Sequence, residues 1–387
     1  MATNGRTVLV LGGGVGGVVA ASRLRKQLSA DDRVVLVDRE PNHLFQSSLL
    51  WLLVGQRRAE QIQRPLGRLV EKGVELVTGE ITAVDAENRR VTVDDLELQG
   101  DAIIIALGAD LAPDAIPGLA EAGHNLYGLE GASGFRDALS RFDGGRVAVV
   151  TAAPAYKCPA APYEAAMLVN DQLRRRGDVD FQIDFFAAEP APMATAGPEV
   201  AAAVREMVEG LQIGYHPGHQ IESANAASRT LTFASGATAA YDLLLYVPPH
   251  RAPAAIREAR LTNASGWVSV DPRTLRTEVE GVFAVGDVTS IPIPSGKSLP
   301  KSGVFAHAQA EVVAHNLAAE WAGRRPDREF DGTGACFIET GSGRAGYGAG
   351  DFYAEPAPNM KLRSPSRLWH LGKVLFEKYW FWKWFRR

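Results

Sequence analysis

The chain has 387 residues, 46% of them hydrophobic and 22% charged, which is too long for one core and describes a globular protein of two or three domains. Two cysteines exclude a disulfide-stapled scaffold, and no Cys or His spacing fits a metal centre, so no metal is expected. The net charge of −4 is uneven: residues 361–387 hold eight Lys or Arg against Glu377, a net +7, which leaves −11 on the body and argues against nucleic acid as a partner.

The opening MATNGRTVLVLGGG enters a strand pattern at once, so no signal peptide is expected. Thr7 to Leu11 predicts a buried strand, Gly12-Gly-Gly14-Val-Gly-Gly17 a phosphate-cradling turn, Val15 to Leu28 a helix, and Arg33 to Asp38 a second strand. In that order the signal for a dinucleotide site is strong. Gly12 permits the tight turn, Gly14 lets backbone approach a pyrophosphate, and Gly17 lets helix and strand pack closely. Asp38, 21 residues past Gly17, is placed to accept bonds from ribose hydroxyls.

Asp101 to Ala109 is a buried strand ending in a tight turn at Gly108, and Gly281 to Val288 is another ending at Gly286-Asp287. Both patterns resemble the two-dinucleotide-domain flavoproteins, in which the second aspartate binds the ribityl chain of FAD. The resemblance implies FAD as the first nucleotide and an FAD domain split by an insertion.

The insertion opens with RVAVVTAAPAYKCPAAPYE, Arg146 to Glu164, where Val147 to Thr151 reads as a strand and Glu164 to Gln172 as a helix. The turn between them has no glycine cradle, so NAD(P)H is not expected as the donor. It holds Cys158 followed by Pro159, and a cysteine at a helix start is expected to favour thiolate. Further on come strands Phe181 to Ala187 and Thr230 to Phe233, a helix near Glu199 to Leu211, and a closing strand Leu243 to Pro249. Ser302-Gly303 precedes a helix from Val304 to Trp321, whose first amides are expected to face the flavin pyrimidine, with Lys301 adding positive charge. Cys336 opens a short apolar strand in the glycine-rich run Gly334 to Gly350, 178 residues beyond Cys158. From residues alone, a structural cross-link and a redox pair remain alternatives there.

Tyr156-Lys-Cys158-Pro-Ala-Ala-Pro-Tyr-Glu164, Pro300-Lys-Ser-Gly303 and Cys336-Phe-Ile-Glu-Thr-Gly341 together resemble sulfide:quinone oxidoreductase, with the flavin subunit of flavocytochrome c sulfide dehydrogenase as a related protein. The resemblance covers nearly the whole chain. It implies an α/β fold of two Rossmann-like, glutathione-reductase-like domains. The FAD domain would span 1–110 and 248–325, the second domain 111–247, and a C-terminal segment 326–387. It also implies that Cys158 and Cys336 cycle as a redox pair beside FAD, hydrosulfide attacking their bridge, with Glu164 as acid or base. Many members carry a third cysteine before the first redox cysteine, and cytochrome-linked relatives attach flavin near Phe45-Gln46-Ser47. This chain has cysteine at neither place, so FAD is expected to be non-covalent.

The tail, SRLWHLGKVLFEKYWFWKWFRR from Ser366 to Arg387, interleaves four tryptophans with basic residues. Lys373, Glu377, Lys378 and Lys383 interrupt any spanning run, so an interfacial helix on a cell-membrane surface is expected, as a peripheral attachment. Such attachment favours a quinone acceptor, with Phe337 and Tyr347 as candidates for its pocket. A type II NADH:quinone oxidoreductase shares the anchor but requires the missing glycines, and a cytochrome-linked dehydrogenase requires an export signal. Sulfide and quinone are the expected partners, and a homo-oligomer is compatible with the sequence.

Overall fold

The computed structural model describes residues 5–386, so residues 1–4 of the opening segment and Arg387 of the tail lie outside the described residues. Strand β1 (Thr7–Leu11) leads into helix α1 (Val15–Gln27) and strand β2 (Arg33–Asp38), followed by β3 (Glu75–Thr78) and β4 (Ala102–Ile105). Next come β5 (His124–Asn125), β6 (Gly145–Thr151), α2 (Ala161–Arg176), β7 (Phe181–Ala187), α3 (Pro198–Gly210), β8 (Gly214–His216) and β9 (Leu243–Val247). The chain then forms β10 (Val282–Ala284), α4 (Gly303–Trp321), an antiparallel sheet of β11 (Thr333–Gly341), β12 (Arg344–Asp351) and β13 (Asn359–Ser366), and finally α5 (Arg367–Phe385).

Two five-stranded parallel sheets result, ordered β10-β4-β1-β2-β3 and β5-β9-β6-β7-β8. Parallel strands covered on both faces read as continuous apolar runs, and β1, β4, β6 and β9 are buried almost throughout. Each half also carries a three-stranded antiparallel meander, at Ile81–Gln99 and Ile221–Ala240, so the halves repeat one plan.

The third sheet packs β11 against α2 and β12 against α5, which places Cys336 on a strand facing the helix that follows Cys158. Cys336 is the fourth residue of β11 and not its first, because the strand already begins at Thr333.

Helix α5 does not stand away from the body. Lys373, Glu377, Trp380, Phe381, Trp384 and Phe385 form its buried face. Arg68 and Lys72 donate to the carbonyls of Phe385 and Trp384 (3.0 and 2.8 Å), closing the helix C-terminus with cations. Glu377 accepts from Ser48 (2.6 Å) and pairs with Arg57 (2.9 Å), so a charge that interrupts the sequence pattern is an anchor in the fold.

His43 links this helix to the glycine turn. Its Nδ1 meets the Gly13 carbonyl at 2.9 Å and its Nε2 accepts from Trp380 Nε1 at 3.0 Å, which requires a neutral ring protonated on Nδ1. Burial lowers its pKa to about 4. Because the folded value lies below the unfolded one near 6.5, this stabilisation is present above pH 6.5 and is lost as pH falls towards 4, amounting to ~3 kcal/mol in all. Denaturant titrations from pH 7 to 4 should therefore show a steeper loss of stability in the wild type than in His43→Gln; parallel curves would mean that the ring is not held neutral.

Candidate active site

Cys158 lies in the turn between β6 and α2 with φ +47°, a left-handed conformation that side chains other than glycine rarely adopt. Its N–H donates to the Lys301 carbonyl (2.6 Å), and its own carbonyl accepts from the Tyr127 hydroxyl (3.1 Å) and the Ala161 N–H (2.9 Å). These bonds hold the strained turn in place. Helix α2 starts at Ala161 with Pro162 in its first turn, so neither Pro159 nor Cys158 occupies the helix start that the sequence suggests.

Cys336, on β11, comes within hydrogen-bonding reach of Cys158; both are half-buried free thiols. The hydrogen bond to Cys336, and then burial, push the Cys158 thiol well above its ordinary range, while that same bond lowers Cys336. The two sulfurs thus influence each other through their own contact, and Cys336 Sγ also lies 3.3 Å from the Phe337 carbonyl. The neighbouring sulfur is a nearer influence on Cys158 than the dipole of a helix that begins three residues later.

Beneath the sulfurs lies a buried charge cluster. Glu164, 1% exposed, accepts from Lys373 Nζ at 2.6 Å and from the Glu339 N–H at 2.8 Å. Glu339 is equally buried, and both of its oxygens lie 3.0 Å from His370 Nδ1. Burial alone would discharge Lys373, but the Glu164 and Glu339 carboxylates outweigh it and raise the ammonium above its usual range. That ammonium lowers both thiols, whereas Glu164 raises both. Phe337 and Tyr347 stand next to this cluster with ring centroids 5.2 Å apart, and Tyr347 stacks on Trp369 of α5 at 4.5 Å. Gly372 lets α5 approach, since a Cβ there would lie 3.1 Å from the Phe337 ring.

The expected nucleotide residues converge at the carboxyl end of the first sheet. Gly12 has φ +103°, and a Cβ on it would meet the Ala106 carbonyl at 2.5 Å; one on Gly17 would meet the Gly12 carbonyl at 1.7 Å. Around Gly14 and Gly108 the space is open. Asp38 accepts from the N–H groups of Gly13 and Glu40, which hold its carboxylate over the turn. Asp287 Oδ1 is buried without a hydrogen-bond partner among the described residues, as a ribose- or ribityl-binding carboxylate would be before its ligand arrives. Gly286 donates to Gln309 (2.7 Å), and the first turn of α4, with Gly303 and Val304, has no side-chain cap on its amides. This set fits a flavin dinucleotide. The Lys301 ammonium turns to the Asp287 and Thr289 carbonyls (2.5 and 3.1 Å) and the Trp267 ring, and burial lowers its pKa to about 8.

With this geometry, residues 6–310 match the sequence profile of the pyridine nucleotide-disulphide oxidoreductases. The chain belongs to that family. Among its curated relatives, the mitochondrial sulfide:quinone oxidoreductase of mouse is 26% identical, covering 92% of this chain and 80% of the relative. The sulfide-quinone reductase of Aquifex aeolicus is also 26% identical, covering 97% of this chain and 90% of the relative. The solved structure of the Aquifex aeolicus sulfide:quinone oxidoreductase superposes with a TM-score of 0.87 at 23% identity, over 98% of this chain and 91% of that one. As in the family at large, the cofactor is FAD.

Sequence reasoning found the sulfurs and Glu164 but missed their partners. Lys373 and His370 carry no motif, Glu339 lies within the Cys336–Gly341 stretch without being singled out by it, and Lys373 reads as an interruption of an interfacial helix. The only signal for it was a helical period that puts Lys373, Glu377, Trp380 and Trp384 on one face. Glu164→Gln should lower the labelling pKa of Cys336 by about one unit and Lys373→Met should raise it by a similar amount, as seen in the pH dependence of iodoacetamide alkylation. Shifts of the same sign in both variants would contradict the electrostatic account.

Proposed function

We propose that this chain oxidises sulfide to sulfur or polysulfide at the Cys158–Cys336 pair and passes the electrons through FAD to a quinone at a membrane surface. The observation that carries the reading is the meeting of the only two cysteines over a buried Lys373–Glu164 pair. The proposed working units are an FAD-binding unit of residues 1–110 and 248–325, a second unit of 111–247, and the segment 326–387.

In the oxidised pair, hydrosulfide attacks one sulfur of the disulfide, forming a persulfide there and releasing the other cysteine as thiolate. The better leaving group has the lower thiol pKa, so Cys336 departs and the persulfide forms on Cys158. Lys373 stabilises the departing thiolate, and Glu164 keeps that ammonium charged. A second hydrosulfide lifts the persulfide sulfur away as a hydropersulfide, leaving two thiols, whose return to the disulfide releases two electrons and two protons. Bound FAD supplies the two-electron acceptor that links this chemistry to a quinone. Glu339, whose carboxyl pKa is held above its usual range by burial, contacts His370 and can hold a proton beside the sulfur pair.

Helix α5 supplies the membrane surface. Leu368, Leu371, Leu375, Phe376, Tyr379 and Trp382 are its exposed large residues and form a stripe along one side, opposite the docked face. Arg367, Lys378 and Arg386 accompany it, as in a helix lying among anionic headgroups. No helix among the described residues is long and apolar enough to cross a membrane. The Phe337–Tyr347 pair beside this helix is the proposed quinone contact.

Sulfide, and not NADH, should bleach the flavin of the holoenzyme, and Cys158→Ser or Cys336→Ser should slow the bleaching by roughly a thousandfold or more. Leu371→Glu combined with Trp382→Glu should release the protein from anionic vesicles in a flotation assay and leave bleaching intact. Bleaching retained in either serine variant would move the chemistry away from the pair.

A further inference from the structure

In a parallel dinucleotide domain, a dinucleotide lies outside the carboxyl ends of the strands, its phosphates at the turn after the first strand and a ribose at the end of the second. In the second sheet that place is bounded by the end of β6 at Thr151, the turn to α2, and the end of β7 at Ala187. Four of the chain's own side chains converge there. Thr151 Oγ1 donates to Glu189 Oε2 (2.7 Å), and the hydroxyls of Tyr163 (2.9 Å) and Tyr156 both donate to Oε1. All four residues are buried, and Tyr163 stacks on Phe185 with centroids 4.5 Å apart and planes 11° from parallel.

We propose that Glu189 is a positioning residue: its carboxylate takes the place of a second dinucleotide and fixes the turn that carries Cys158. The proposal rests on the reading of Cys158 as the reacting sulfur. A strand-end acid in such a domain ordinarily faces a ribose. Here its oxygens are used up by internal hydroxyls, in hydrogen bonds strengthened by the negative charge. Tyr156 lies two residues before Cys158, so the clamp pins the turn on that side, while Tyr127 holds the Cys158 carbonyl. Removing the carboxylate leaves three buried hydroxyls without an acceptor and frees the turn. The same clamp closes the crevice to NAD(P)H and so selects the electron donor.

The test uses reduced holoenzyme and measures alkylation of Cys158 and Cys336 by iodoacetamide, read peptide by peptide in the mass spectrometer. Glu189→Ala and Tyr156→Phe should speed Cys158 labelling about tenfold relative to Cys336, through local opening of the turn. Glu189→Gln, which keeps an acceptor oxygen, should stay close to the wild type. Unchanged Cys158 rates in Tyr156→Phe overturn the proposal; that variant removes one hydroxyl only and decides the matter even where Glu189→Ala fails to fold. Calorimetric titration of the wild type with millimolar NADH should give no saturable heat, and saturable binding would overturn the occupancy claim. Neither measurement involves sulfide, so failure of sulfide to bleach the flavin would remove the proposed activity without touching this result.

Discussion

The site depends on one buried ion pair, Lys373 with Glu164. A pair of this kind adds little net stability, because desolvating two charges offsets most of their attraction, but deleting one partner typically costs about 3–5 kcal/mol. Its value lies in position. Glu164 comes from the helix after Cys158, Lys373 comes from the final helix, and Glu339, whose N–H joins the pair, comes from the strand of Cys336. Three distant parts of the chain are thus held by one carboxylate close to the two sulfurs. The same pair sets opposing influences on the thiols, the ammonium favouring thiolate and the carboxylate favouring thiol.

Helix α5 thereby serves two surfaces at once. Its inner face places Lys373 by the sulfurs and Trp380 by His43, which in turn bonds the glycine turn at Gly13. Its outer face carries the apolar stripe proposed to meet lipid. The proposed membrane contact, the nucleotide turn and the sulfur pair therefore share a single element.

Much of the fold was legible because its signals are local. The strands Thr7–Leu11, Arg33–Asp38 and Phe181–Ala187 fall where apolar runs end at glycines or acids, and the glycine turn with Asp38 and Asp287 reads directly as a nucleotide site. Pairing of Cys158 with Cys336 came through family resemblance, since 178 residues separate them and no spacing rule reaches that far. What stayed hidden is long-range and electrostatic. Lys373 and Glu377 look like solvated charges until α5 is docked, and the proton balance between the two sulfurs depends on their contact and not on the helix that follows Cys158. The Glu189 clamp was equally silent, because Thr151, Tyr156 and Tyr163 acquire a common partner only when β6 and β7 lie side by side.

Peptide mapping of the oxidised holoenzyme before and after one equivalent of sulfide tests the central claim most directly. The account predicts a Cys158–Cys336 cross-linked peptide that disappears as Cys158 gains the mass of one sulfur atom and Cys336 becomes free. Two unlinked cysteines in the oxidised protein, or added sulfur on any other residue, would contradict it.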